Sequence, residues 1–126
     1  KEIIRFCNNL GIKIIGFFII GMEGDTVRSI REMVRFAIEQ NTFMARFSVS
    51  TPYPGTEYYN FLNKKEFLLH KNFRDYNQFK LVVNHNNLSS KQIEMLILDA
   101  YKRFYFRPRK LYELVSDQVI SLIPKF

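Results

Sequence analysis

GIKIIGFFIIGMEGDT, residues 11–26, reads as a strand, a glycine-bearing loop and the start of a helix. Ile12, Ile14, Ile15, Phe17, Phe18, Ile19 and Ile20 form a run that is apolar on both faces, interrupted only by Lys13 and Gly16. A strand of that kind is expected to be covered on both sides, as the strands of parallel sheets are. Gly21 and Gly24 flank Met22 and Glu23 just beyond its carboxyl end, and Asp25 or Thr26 offers a side-chain oxygen to the free amides of the next helix. In α/β proteins, ligands bind at this end of a strand. The same glycines also suit a plain turn before a capped helix.

Upstream, Ile3, Ile4, Cys7 and Leu10 share one face of a helix over residues 2–10, and Gly11 suits its left-handed end. Downstream, Val27, Ile30, Met33, Val34, Ala37 and Ile38 recur on one stripe, with Arg28, Arg31, Glu32, Arg35 and Glu39 facing out. This spacing predicts a helix from about Thr26 to Gln40, stopped by Asn41. From Phe43 the period becomes two, Phe43, Ala45, Phe47 and Val49 alternating with Met44, Arg46, Ser48 and Ser50. The second set either lines an interior that meets water, substrate or cofactor, or is the solvated face of an edge strand. Thr51-Pro52-Tyr53-Pro54-Gly55-Thr56 then ends strand pairing, because proline has no amide hydrogen to donate, and a helix from Glu57 to about Lys65 follows. Such βαβ alternation predicts parallel strands with residues 21–25 and 51–56 on one rim.

Residues 67–88 show no firm period and read as an irregular connection. Their histidines, His70 and His85, have no cysteine or second carboxylate at ligand spacing, so no metal site is expected. Ser89 or Ser90 caps a long helix, with Gln92 in capping-box position and Ile93, Leu96, Ile97, Ala100, Tyr101 and Phe104 as its buried stripe. Pro108 opens a further helix whose stripe of Leu111, Leu114, Val115, Val119 and Leu122 runs to Pro124 and is expected to pack on its own domain.

The 126 residues suffice for one modest domain. A complete eight-fold barrel needs about 250 and is excluded; part of one is not. Hydrophobic residues at 47% and aromatic residues at 16% argue against disorder. No apolar run approaches the ~20 residues of a bilayer span and no signal peptide is visible, so the chain is expected to be cytoplasmic. It opens at Lys1 inside a helical pattern, which reads as an excerpt of something longer. The net charge of +7 is spread over several helices. Only Lys102, Arg103, Arg107, Arg109 and Lys110 cluster, and such a cluster reads as a solvated helix face before a nucleic-acid site. Cys7 is the lone cysteine, which precludes an intramolecular disulfide and suits a reducing compartment.

Residues 11–26 together with FSVSTPYPGTEYY, residues 47–59, resemble the last two strands of the radical S-adenosylmethionine (SAM) partial barrel. NLSSKQIEMLILDAYKRFYFRPRKL, residues 87–111, is similar to the helix and Arg-Pro-Arg segment that follows that barrel in one subgroup. Members of that subgroup carry an amino-terminal cobalamin-binding domain and include anaerobic magnesium-protoporphyrin monomethyl ester cyclases and hopanoid-modifying enzymes. Glu23 stands where the family usually has proline, and Asp25 where it usually has glutamate.

The resemblance implies an α/β fold, the carboxyl-terminal part of a partial six-stranded TIM-like barrel. Its last βα units would occupy residues 1–66, an irregular connection 67–88 and a helical extension 89–126. It implies an enzyme in which a 4Fe-4S cluster cleaves SAM reductively to start radical chemistry on a small-molecule substrate, with cobalamin as a further cofactor. The CxxxCxxC cluster loop would lie in the remainder of the polypeptide, the partner this piece needs, so no catalytic or metal-binding residue is assigned here and the piece alone should be inactive. Gly21, Ser48, Ser50, Thr51 and Pro52 would then border the cofactor, and Arg46 would face substrate. Two alternatives are a methylthiotransferase-like radical SAM protein acting on transfer RNA and a non-catalytic binding or structural module derived from such a barrel.

Overall fold

Helix α1 (Glu2–Asn9) stops where Gly11 adopts φ +73, which few residues with a Cβ tolerate. The Ile12 amide then donates to Cys7 O and the Gly11 amide to Asn8 O, the pair of bonds that closes a Schellman end. Strand β1 (Ile15–Ile20) follows, in a computed structural model that describes residues 2–70 and 72–122. Helix α2 (Val27–Gln40) begins at a reciprocal capping box between Thr26 and Ser29 and ends at Asn41 in the left-handed region, φ 48. Ile30, Val34 and Ala37 are buried and Arg28, Arg31, Glu32, Arg35 and Glu39 exposed, as the apolar stripe predicts.

Strand β2 (Met44–Val49) pairs with β1 in parallel, Gly16 opposite Ala45 and Ile20 opposite Val49. The Ser50 amide extends the ladder by one bond to Ile20 O, so the loops after both strands lie on one rim. The fold is α/β with parallel strands joined through a helix. Helix α3 (Glu57–Lys64) starts at the Thr56 cap. Beyond it come a 3-10 turn at Phe73–Asp75 and a single antiparallel bridge, Leu68 with Val83. Helix α4 (Ser90–Tyr105) opens with the Ser89–Gln92 capping box and α5 (Pro108–Leu122) with proline in its first turn. No helix among the described residues is long and apolar enough to cross a membrane.

One face of the sheet carries Ile20, Ala45, Phe47 and Val49 into the core against α2 and α4. Phe47 sits at its centre, stacked on Phe18 at 5.3 Å and met edge-on by Tyr101 at 5.4 Å and Phe104 at 6.2 Å. The opposite face is uncovered, with Ile15 50%, Phe17 70% and Ile19 53% exposed. The expectation that β1 is buried on both sides therefore holds for one side only, because α2 and α4, the helices that pack most extensively on the sheet, both lie on the Phe47 side.

The segment 67–88 is irregular, in keeping with its lack of a period, and its Tyr76, Leu81, Val82 and Val83 belong to the same buried cluster as Phe47. The stripe expected of α5 is corrected: Leu111 and Val115 are exposed, and among the described side chains of this helix the buried one is Lys110, at 1% exposure. Its Nζ donates to Thr42 O at 2.9 Å and Phe43 O at 3.4 Å, and pairs with Glu113 at 2.6 Å. That pairing satisfies the buried ammonium, which is the condition for a lysine to enter a core. The side chains of Val119 and Leu122, and Pro124, lie outside the described residues.

The outer edge of β2 is sealed by side chains. The Tyr105 hydroxyl accepts from Ala45 N at 3.0 Å and donates to Ala45 O at 2.8 Å. One turn earlier on α4, the Tyr101 hydroxyl accepts from Phe47 N at 3.2 Å and donates to Phe47 O at 3.0 Å. Replacing either tyrosine by phenylalanine leaves a backbone donor and acceptor of a buried residue unpaired, and is expected to lower stability by about 1–3 kcal/mol in denaturant titration. Burial pushes the Tyr105 phenol above its ordinary value, against the Ala45 amide bond that lowers it. A phenol held protonated by the fold stabilises the chain fully below its unfolded titration point and loses that contribution as pH rises through the folded one. The thermal midpoint should therefore fall above about pH 10, and fall less steeply in Tyr105→Phe.

Candidate functional site

The rim at the carboxyl ends of β1 and β2 is built by two loops with different locks. In the first, Gly21 has φ +81 and Gly24 φ +89. Asp25 folds back over this loop: its Oδ2 accepts from the amides of Gly21 and Met22, each at 2.9 Å, and its Oδ1 accepts from the Ser29 hydroxyl at 3.1 Å. Thr26, not Asp25, caps α2, so the two candidates for the cap divide the work. In the second loop, Tyr53-Pro54-Gly55-Thr56 is a type II turn, with Gly55 at φ +88 and the Thr56 amide donating to Tyr53 O at 3.2 Å. The Thr56 hydroxyl donates to the same carbonyl at 2.7 Å and accepts from Tyr59 N, so turn and helix start share one residue.

The connection 67–88 crosses over both loops. The His85 ring contacts Met22 O through Nε2 at 3.0 Å, and Asn87 Nδ2 donates to Asp25 O at 3.1 Å. Gln78 O accepts from Val49 N at 2.6 Å, while the Gln78 side chain donates to the Tyr53 hydroxyl at 3.0 Å. None of these contacts was expected from the sequence, since single Asn, Gln and His residues in an aperiodic segment carry no pattern. The short apolar run Leu81-Val82-Val83 was the one signal that the segment is anchored.

The residues expected at the site are not all brought together. Gly21 is buried, and a Cβ placed on it would come 3.0 Å from Ile93 Cδ1 and 3.6 Å from Val49 Cγ1, so that side of the residue packs on the core. It also lines a small cavity of about 30 Å³ with Tyr58, Leu62, Val83 and His85, room for about one water molecule. Ser48 is half-buried, Ser50 and Pro52 are buried, and the Thr51 hydroxyl donates to Val49 O at 3.0 Å. Among the described residues no hydrogen bond engages the hydroxyl of Ser48 or Ser50.

Arg46 lies apart, on the uncovered face of the sheet. It borders a cavity of about 420 Å³ with Ile15, Phe17, Met44, Phe79, Tyr101 and Tyr105. Its Nη2 reaches Gln78 Oε1 at 3.5 Å, the outer limit of a hydrogen bond. No group of three His, Cys, Asp or Glu side chains that could hold a metal ion occurs among the described residues.

No protein-family profile matches the chain. It is 31% identical over 116 residues to an uncharacterized methyltransferase of Pyrococcus horikoshii, covering 92% of this chain and 25% of that protein. It is 29% identical over 127 aligned positions to the bacteriochlorophyllide d C-8(2)-methyltransferase of Chlorobaculum tepidum, covering 93% of this chain and 28% of that protein. With the anaerobic magnesium-protoporphyrin IX monomethyl ester cyclase of Rubrivivax gelatinosus it shares 24% identity over 119 residues, 94% of this chain and 21% of that one. The chain thus spans about a quarter of the length of the curated relatives it matches, and those relatives are enzymes.

The loop geometry separates two glycines that look alike in sequence. Gly24→Ala adds a Cβ that meets nothing within 4 Å, so its cost is the left-handed backbone alone, about 1–2 kcal/mol. Gly21→Ala adds the contact with Ile93 to the same strain and should lower the thermal midpoint further. Asp25→Ala, which frees both loop amides, is expected to cost about 2 kcal/mol by the same measurement.

Proposed function

We propose that this chain is the carboxyl-terminal portion of a radical SAM enzyme of the cobalamin-associated kind. The observation that carries the reading is the parallel pairing of β1 and β2, with the glycine loop and the Pro-Gly-Thr loop side by side on one rim. The similarity to methyltransferases and to a magnesium-protoporphyrin cyclase supports it, as does a match that covers so little of each. The helices of α4 and α5 favour it over the methylthiotransferase-like alternative, for which a basic β-barrel would follow the last strand. In this reading residues 1–66 are the last βα units of the barrel, 67–88 the connection and 89–126 the helical extension, and the enzyme works in the cytoplasm.

The donor set here does not fit an iron–sulfur cluster. Cys7 is the only cysteine in the sequence, and three thiolates are needed. The cluster ligands would come from the rest of the polypeptide, and no step of the reaction is assigned to this chain's side chains. The rim fits SAM in part. The Ser48 and Ser50 hydroxyls have hydrogen-bonding capacity to spare, Thr51 and Pro52 stiffen the turn beside them, and Gly21 keeps the adjacent loop low. When bound, SAM would supply the 5′-deoxyadenosyl group that abstracts hydrogen from substrate. The residues of this chain would orient it and exclude water, the part a protein plays around such a cofactor. Cobalamin would be held elsewhere in the polypeptide.

The test is the full-length protein purified anaerobically. It should contain iron and sulfide and release 5′-deoxyadenosine from SAM under reducing conditions; a product without iron that leaves SAM intact would refute the proposal in favour of a non-catalytic module. The segment of 126 residues alone should show no SAM binding in calorimetry. Submillimolar affinity there would mean that the pocket is self-contained.

A further inference from the structure

Gln78 is held at the tip of a short closed turn. Its backbone sits at φ +68, a left-handed conformation that glycine takes without steric cost and other residues rarely adopt. Around it the Asn77 side chain accepts from Phe79 N at 3.0 Å, and Lys80 pairs with Asp75 at 2.7 Å across the mouth of the turn. Tyr76 and Leu81, on either side, are buried in the core. The turn delivers Gln78 to the carboxyl end of β2, where its carbonyl accepts from Val49 N at 2.6 Å and its side-chain Nε2 donates to the Tyr53 hydroxyl at 3.0 Å. Oε1 faces Arg46 Nη2 at 3.5 Å, the orientation that a guanidinium, which cannot accept, requires of the amide. One residue thus grips both ends of the stretch Ser50-Thr51-Pro52, whose inner side is fixed by the burial of Ser50 and Pro52.

We infer that Gln78 is a positioning residue for the second rim loop, its side-chain amide fixing Tyr53 and so the path of Ser50-Thr51-Pro52. It acts through that loop, and its role in the enzyme rests on the proposed place of these three residues beside SAM. The strained backbone shows what the position uses. If the turn needed only a left-handed residue and a carbonyl on Val49 N, glycine would supply both without strain. Glutamine adds a donor and an acceptor on one rigid amide, and both are turned onto β2 and the loop that follows it. A loop already on its bound path loses less freedom when ligand arrives.

The test uses the anaerobically purified full-length protein with Gln78→Gly, Gln78→Met, Tyr53→Phe and the double variant Gln78→Met/Tyr53→Phe. Gln78→Gly keeps the backbone bond and removes the strain together with the amide, so its melting temperature should equal or exceed the parent's. In all four variants KM for SAM in 5′-deoxyadenosine release should rise about fivefold with kcat within about twofold, the size expected of one lost hydrogen bond. The double variant should rise no further than either single one, because both remove the same contact. Amide hydrogen exchange of residues 50–56, measured without SAM, should quicken equally in all four. An unchanged KM, a KM that rises only where the melting temperature falls, additive effects in the double variant, or exchange at the parent's rate would each overturn the role of Gln78. A parent that releases no 5′-deoxyadenosine sinks the enzyme reading, and the exchange rates of single and double variants then decide the role of Gln78 by themselves.

Discussion

The arrangement of this chain depends on how the free edge of β2 is closed. A parallel two-stranded sheet has an unpaired edge on each side, and buried backbone groups there must find partners. On the β2 side Tyr101 and Tyr105 supply them, each hydroxyl taking the place of the carbonyl and amide that a further strand would present. The spacing is a direct consequence of geometry. Ala45 and Phe47 are two residues apart along a strand, and Tyr101 and Tyr105 are one helical turn apart, distances of about 7 Å and about 6 Å that nearly match.

That closure gives the sheet a direction. β1 pairs only with β2 among the described residues, so its other edge is open, and the side chains of Ile15, Phe17 and Ile19 face away from the core. An open edge beside an exposed apolar face is unstable as a molecular surface, and large exposed apolar patches mark places where something else packs. In the proposed enzyme that something is the rest of the barrel, added strand by strand on the β1 side, with the rim loops and Arg46 turned toward the enclosed space. The stiffening of those loops by Asp25 and by the Pro54–Gly55 turn then keeps the rim in place before any ligand arrives, which lowers the ordering cost of binding.

Much of this was legible in the sequence where a period runs long enough to be counted. The stripe of α2, the alternation of β2 and the Ser89–Gln92 box are each repeated signals, and each is found where the spacing puts it. The part that was not legible consists of single residues whose partners are far away in sequence. Tyr101 was read as one more member of the α4 stripe, which by position it is; that its hydroxyl closes a strand edge 54 residues earlier is invisible to helical periodicity. Gln78, His85 and Asn87 bind the rim from an aperiodic segment for the same reason. Of the rim, the positions of the two loops were readable, and the contacts of Gln78, His85 and Asn87 that cross them were not.

The basic cluster near the carboxyl end is resolved by the same principle. Read along the sequence, Lys102, Arg103, Arg107, Arg109 and Lys110 suggest a charged surface. In the structure Arg103 pairs with Asp99 at 2.7 Å, Arg107 donates to Phe104 O at 2.7 Å and lies over the Phe104 ring, and Lys110 is buried on Thr42 O and Phe43 O. Thr42 and Phe43 immediately precede β2, and at the other end of that strand Val49 N is taken by Gln78 O. The partners of this edge therefore run in sequence from Lys110 at its start, through Tyr105 and Tyr101, to Gln78 at its end, all from residues that follow β2. Lys102, Arg103 and Arg109 stay exposed, as on a solvated helix face, whereas Lys110 is buried and holds the start of β2.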